Sequence, residues 1–193
     1  MAAEPSHREI VLETLIDAAD NILRSSQKLT AAEVSSSACI ARNSIYRYVD
    51  SVDDLRGLVL ARYVPAWEKA IVEALKEIDD PIDRLVVWLD TNLCQAKLTG
   101  HNWLMNISHM AKNSNATKDV ARFAHRVLWG ELDGCWKAIV KDEADARRWS
   151  FLTLGLLQNA FGQVEREYDF DRLRELVRRS GRALAQAAQR DQI

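Results

Sequence analysis

Between residues 42 and 48 the chain reads Arg-Asn-Ser-Ile-Tyr-Arg-Tyr, and six of these seven side chains can hydrogen-bond. Arg and Asn can each make paired hydrogen bonds, to guanine and adenine edges respectively, and tyrosine hydroxyls can reach phosphate oxygens. Ala38, Ile40, Ile45 and Val49 supply the apolar positions that turn a short helix inward and leave Arg42, Asn43, Ser44 and Arg47 outward. Taken alone, the run fits two readings: the solvated face of an ordinary core helix, or a short helix that enters a DNA major groove. No comparable set exists for catalysis. A Gly-rich phosphate loop, a nucleophile elbow, a paired-histidine metal helix and a Ser/His/Asp arrangement are all missing, and Asp90 and Glu131 stand as isolated carboxylates. His101 and His109, or Cys94 with a histidine, match no tight ligand spacing. No catalytic residue, metal or cofactor is therefore expected.

The elements that must position this run are helical. Only three prolines occur in 193 residues, none after Pro81, with seven glycines in all. Val11, Leu15, Ala18, Ala19 and Ile22 step by three and four, predicting a helix over about 6–25. Thr30 and Glu33 have the spacing of a capping box that opens a short second helix. Ser35, Ser36 and Ser37 compete for backbone hydrogen bonds and end it, and a third short helix follows over 40–49. Ser51 and Asp54 cap the next helix, which is expected to kink or stop near Val64 because Pro65 removes an amide donor. Further helices are predicted over 81–97, 101–112, 117–141, 145–166 and 169–190, with Lys112–Asn115 as the clearest loop of the second half.

Composition limits the partners. Apolar residues make up 48% and charged residues 28%, with a net charge of -2, so neither disorder nor a polybasic coat is indicated. Residues 1–62 hold seven basic against nine acidic side chains, and within them only Lys28 to Val49 is locally positive. Phosphate-driven affinity should accordingly be modest. Three widely spaced cysteines fit no disulfide framework, the N-terminus lacks a signal-peptide pattern, and no apolar run is long enough to span a membrane. A cytoplasmic protein is expected. Cys39 is expected to be a small buried thiol rather than a redox sensor.

Residues 29–55, and above all Arg42-Asn43-Ser44-Ile45-Tyr46-Arg47-Tyr48 followed by Asp50-Ser51-Val52-Asp53-Asp54-Leu55, resemble the helix-turn-helix of the tetracycline-repressor (TetR) family. The resemblance covers residues 8 to about 60. It implies an all-α protein of about nine helices, with an N-terminal three-helix helix-turn-helix domain over 1–62 and a C-terminal helical bundle over 63–193 for ligand binding and dimerisation. It further implies contact with double-stranded DNA through Thr30, Arg42, Asn43, Ser44, Tyr46, Arg47 and Tyr48, although Arg47 has Asp50 as an alternative partner. Two departures bear on this. Cys39 replaces the glycine usual in the turn, at a cost of about 1 kcal/mol if the backbone there is left-handed. Val52 stands where the family often has a phosphate-contacting lysine.

All six tryptophans follow residue 66, which marks out a separate aromatic body. Trp88, Trp103, Met105, Met110, Phe123 and Trp129 offer apolar walls, and Asn92, His101, Asn106 and His109 offer polar groups, the mixture usual in small-molecule sites. A hydrophobic or aromatic ligand is expected there. Leu152, Leu156, Leu157, Ala160 and Phe161, with Leu173, Leu176, Val177 and Leu184, give the last two helices apolar surface. By resemblance these two helices pair with their mates in a homodimer. Together the readings suggest a ligand-responsive regulator, most simply a repressor on a palindromic operator. The alternative is a helical protein-interaction module that has lost specific DNA binding.

Overall fold

A computed structural model describes residues 4–25, 27–100, 105, 115–166 and 169–190; within 115–128 it describes the side chains of Asn115, Lys118, Asp119, Val120, Arg122 and Arg126. Every regular element among the described residues is helical: α1 (His7–Arg24), α2 (Ala31–Ser37), a 3-10 helix (Arg42–Arg47), α3 (Val52–Leu75), α4 (Pro81–Thr99), α5 (Asn115–Ile139), α6 (Glu143–Gln163) and α7 (Phe170–Arg190). The helix expected over 101–112 lies outside the described residues, as does all of the Lys112–Asn115 loop except Asn115, which opens α5.

The chain divides into two compact units. The first comprises Met1–Val64 with the described residues of Trp103–Arg122, the second Pro65–Asn102 with Phe123–Ile193. The inclusion of residues beyond 102 in the first unit is a tertiary feature, since Val120 of α5 packs against its core.

In the first unit α1 starts at a complete capping box that the sequence reading overlooked. The Ser6 amide donates to Glu9 Oε2 at 2.6 Å, and the Glu9 amide donates to Ser6 Oγ at 3.3 Å. The capping box expected at Thr30 is only half formed: Thr30 Oγ1 accepts from the Glu33 amide, but the Glu33 carboxylate takes the Thr30 hydroxyl hydrogen at 2.9 Å instead of the backbone amide. The three- and four-residue spacing in α1 buries Leu15, Ile16, Ala19 and Ile22 against Val34 of α2, Ile45 of the 3-10 helix, and Leu55 and Val59 of α3. Leu15, Val34, Ile45, Leu55 and Val59 among them have no exposed surface, and at about 1.5–3 kcal/mol each they give even this small unit a core.

α3 runs through Pro65 to Leu75, eleven residues past Val64, near which a kink or stop was expected. The missing proline amide is offset beyond it, where Ile71 and Leu75 are buried and Trp67 Nε1 donates to Asn92 Oδ1 at 2.9 Å. In the second unit Asp80 Oδ1 accepts from the amides of Ile82 and Asp83 at 3.0 and 2.8 Å, Pro81 opens α4, and Gly100 closes it with φ 79°. α4 packs on α7 and α6. Where α4 meets α7, Gly181 faces the end of the Leu89 side chain, which would have to shift to admit an added methyl. Arg174 fixes the same pair of helices by gripping Asp90 with Nε and Nη2 at 2.9 and 2.8 Å.

That packing corrects part of the expected dimer surface. Leu157, Ala160 and Phe161 of α6 and Leu173 and Val177 of α7 are closed inside the core of a single chain, against Leu85, Trp88, Leu89 and Leu93. Each amphipathic helix has one apolar face, and α4 already occupies it. Leu156 and Leu184 are half-buried at the edge of that core, while Leu152 and Leu176 remain exposed, with Phe151 beside Leu152. Among the described residues no helix is long and apolar enough to cross a membrane.

Candidate nucleic-acid interface

The short helix expected over 40–49, the reader segment, is a 3-10 helix over Arg42–Arg47. Three residues per turn set Arg42, Ile45 and Tyr48 on one line, and Ile45 anchors it with no exposed surface. Arg42, Asn43, Tyr46 and Arg47 are exposed and Ser44 is half-exposed, so the polar set expected to meet DNA is displayed together on one short segment. Tyr48 sits lower, its ring packed on the core and overlain by the Arg8 guanidinium at 5.9 Å from the ring centroid. Thr30 stands at the start of α2, its hydroxyl held by Glu33.

The turn before this segment carries the backbone cost the sequence raised. Cys39 has φ 55°, the left-handed region that glycine occupies freely. Cys39 is exposed, not buried as expected, while its neighbour Ala38 is the residue of this turn that enters the core. The other two cysteines differ. Burial pushes the Cys135 thiol up to about 11, and burial followed by the nearby Asp90 carboxylate raises Cys94, so neither is a ready thiolate.

Charge in the first unit is segregated in a way that its total of seven basic and nine acidic side chains hides. Arg62 holds Asp17 and Glu13 of α1, each at 2.6 Å, and these carboxylates keep it above its ordinary value although partial burial pulls the other way. Arg24 pairs with Asp20 at 3.2 Å and donates to the Tyr63 hydroxyl at 2.7 Å, while that hydroxyl donates to Asp20 at 2.5 Å. Burial, then the bond to Asp20, raises Tyr63. Arg56 pairs with Asp53 at 2.5 Å. Half-exposed pairs of this kind contribute at most about 1 kcal/mol each, but they cancel both charges as seen by a distant polyanion. Three arginines and four carboxylates are thereby neutralised on α1 and α3. Arg8, Lys28, Arg42 and Arg47 make no ion pair among the described residues, and Arg47 does not take Asp50.

The fold has solved counterparts. A TetR transcription regulator from Haloarcula marismortui superposes with a TM-score of 0.70 at 20% identity, covering 93% of this chain and 98% of that one. The chain has the fold of the TetR regulators. The fatty acid degradation regulator FadR from Bacillus halodurans gives 0.65 at 16% identity, over 93% and 97% of the two chains. The multidrug binding protein EbrR, solved with imidazole, gives 0.60 at 18% identity, over 91% and 95%. No family model matches the chain, and no curated protein matches it. The TetR fold thus persists here at an identity where sequence comparison finds nothing.

Of the residues expected to meet a ligand, Trp88, Asn92 and Trp129 lie in the second unit of this TetR fold and Met105 in the first. Trp88 and Asn92 lie one turn apart on α4, both fully buried. Asn92 Nδ2 donates to the Trp88 carbonyl at 2.8 Å while its Oδ1 accepts from Trp67, which the sequence reading had not included. Trp88 Nε1 is buried and has no hydrogen-bond partner among the described residues. Trp129 is half-buried, edge-on to Phe151 with centroids 4.8 Å apart. Met105 is exposed. His101, Trp103, Asn106, His109, Met110 and the Phe123 side chain lie outside the described residues.

Proposed function

We propose that this protein is a cytoplasmic transcription regulator that binds a palindromic site on double-stranded DNA as a homodimer and responds to a small apolar or aromatic ligand, most simply as a repressor. One observation carries the DNA-binding half: the exposed Arg42, Asn43, Tyr46 and Arg47 stand on one buried anchor, Ile45, while Arg24, Arg56 and Arg62 of the same unit are occupied by carboxylates. The TetR fold supports the same reading, as does the description of two similar structures as regulators. The second copy would cover Phe151, Leu152 and Leu176, large apolar side chains exposed on two helices that pack on each other. The ligand would lie in the second unit, where Trp88 Nε1 lacks an acceptor and EbrR offers a precedent for a small aromatic compound. An unsatisfied buried donor costs about 1–3 kcal/mol, which an acceptor atom on the ligand would recover.

The test is selection of duplexes from a random pool by the full chain, followed by affinity measurements on variants. Arg42→Ala and Asn43→Ala should each relax discrimination at one base position by about 1–3 kcal/mol, whereas Tyr46→Phe should weaken all sequences alike. Recovery of only asymmetric, unrelated sequences, or equal losses on every sequence for all three variants, would refute the reading.

A further inference from the structure

We infer that Arg8, on the first turn of α1, is a phosphate-contacting residue of the same DNA interface, supplying beside the reader segment a cation that Val52 does not. The inference rests on the DNA-binding reading above. Arg8 lies more than thirty residues before the reader segment in sequence, but the fold sets its guanidinium over the Tyr48 ring, 5.9 Å from the centroid. A cation–π contact at this distance holds the guanidinium near the ring without consuming any of its N–H donors, which stay free for a phosphate. Arg8 is exposed and makes no ion pair among the described residues. The nearest acid in sequence, Glu9, is already held by the Ser6 amide and hydroxyl, which keep its carboxylate below its usual range.

The charge pattern makes the placement more than coincidental. α1 carries Glu13, Asp17 and Asp20 further along, and Arg62, Tyr63 and Arg24 engage all three. The acidic part of α1 is thus closed off toward α3, and its first turn presents an unpaired arginine next to Tyr48. Arg8 over Tyr48 thus adds an unpaired cation to the exposed Arg42 and Arg47 of the segment that Tyr48 closes, a charge pattern suited to a phosphate backbone.

Salt dependence of duplex binding separates this role from a merely structural one. Each phosphate neutralised contributes about 0.9 to the slope of log affinity against log salt, so a dimer losing both copies of Arg8 should lose about 1.8. The duplex would be one selected from a random pool by the full chain, and thermal melting would confirm that each variant folds. Arg8→Gln should flatten the slope by that amount, Arg8→Lys should retain it, and neither should change the preferred sequence. Loss of affinity by both variants equally at every salt concentration, with the slope unchanged, would show that Arg8 only positions Tyr48 and would overturn the inference. An unchanged slope and affinity for Arg8→Gln, on a duplex whose binding Arg42→Ala abolishes, would overturn it while leaving the DNA-binding reading intact. Failure of the full chain to retain any duplex overturns both.

Discussion

Replacing Cys39 by glycine should stabilise the protein, because the residue occupies left-handed backbone at φ 55° with an exposed side chain that contributes no core packing. An L-residue in this region costs about 1–2 kcal/mol from the approach of Cβ to the following carbonyl. Glycine removes that cost but gives the unfolded chain more freedom, which takes back about 0.4–1 kcal/mol. The net expectation is a gain of about 0.5–1 kcal/mol. For a chain of this length, unfolding together, that corresponds to a rise in Tm of about 1–4 °C. Urea titration of Cys39→Gly and Cys39→Ala beside the parent chain would measure it. Alanine retains Cβ and should show no gain, so the difference between the two variants isolates the backbone term from loss of the thiol. If alanine stabilises as much as glycine, or glycine lowers the midpoint, the strain argument fails.

Two further outcomes follow from the packing. Leu176→Glu should yield folded monomers by sedimentation and abolish duplex binding, whereas Leu157→Ala should cost about 2–5 kcal/mol of stability, since Leu157 is core and Leu176 is surface; a Leu176→Glu dimer would exclude the outer face of α7 as the interface. The buried Cys135 thiol is raised from 9.0 to about 11, so its contribution to stability is complete below pH 9 and is lost as the pH climbs toward about 11. Cys135→Ala should remove part of the decline in unfolding free energy between those limits, and an unaltered pH profile would argue against a buried neutral thiol.

What the sequence determined by itself was local. Helix starts at Thr30, Ser51 and Asp80 were legible because a cap is made by residues two or three positions apart. The polar set Arg42, Asn43, Ser44, Tyr46 and Arg47 was legible for a related reason, since its display depends on the single inward anchor Ile45 three residues into the same segment. Ser6 and Glu9 carry an equally local signal, a capping box three residues apart. Tertiary structure decided whatever depended on which face met which neighbour. An apolar stripe on α6 or α7 reads the same whether it meets another helix of its own chain or of a second copy, and only the packing against α4 shows that Leu157, Phe161 and Val177 are interior. Pro65 reads as a kink or a stop, yet the helix continues past it to Leu75, where Ile71 and Leu75 are buried. The charge count of residues 1–62 was correct and uninformative, because opposite charges cancel only where they meet. The fold brings Arg62 to Glu13 and Asp17, and Arg8 to Tyr48, across separations no local pattern encodes.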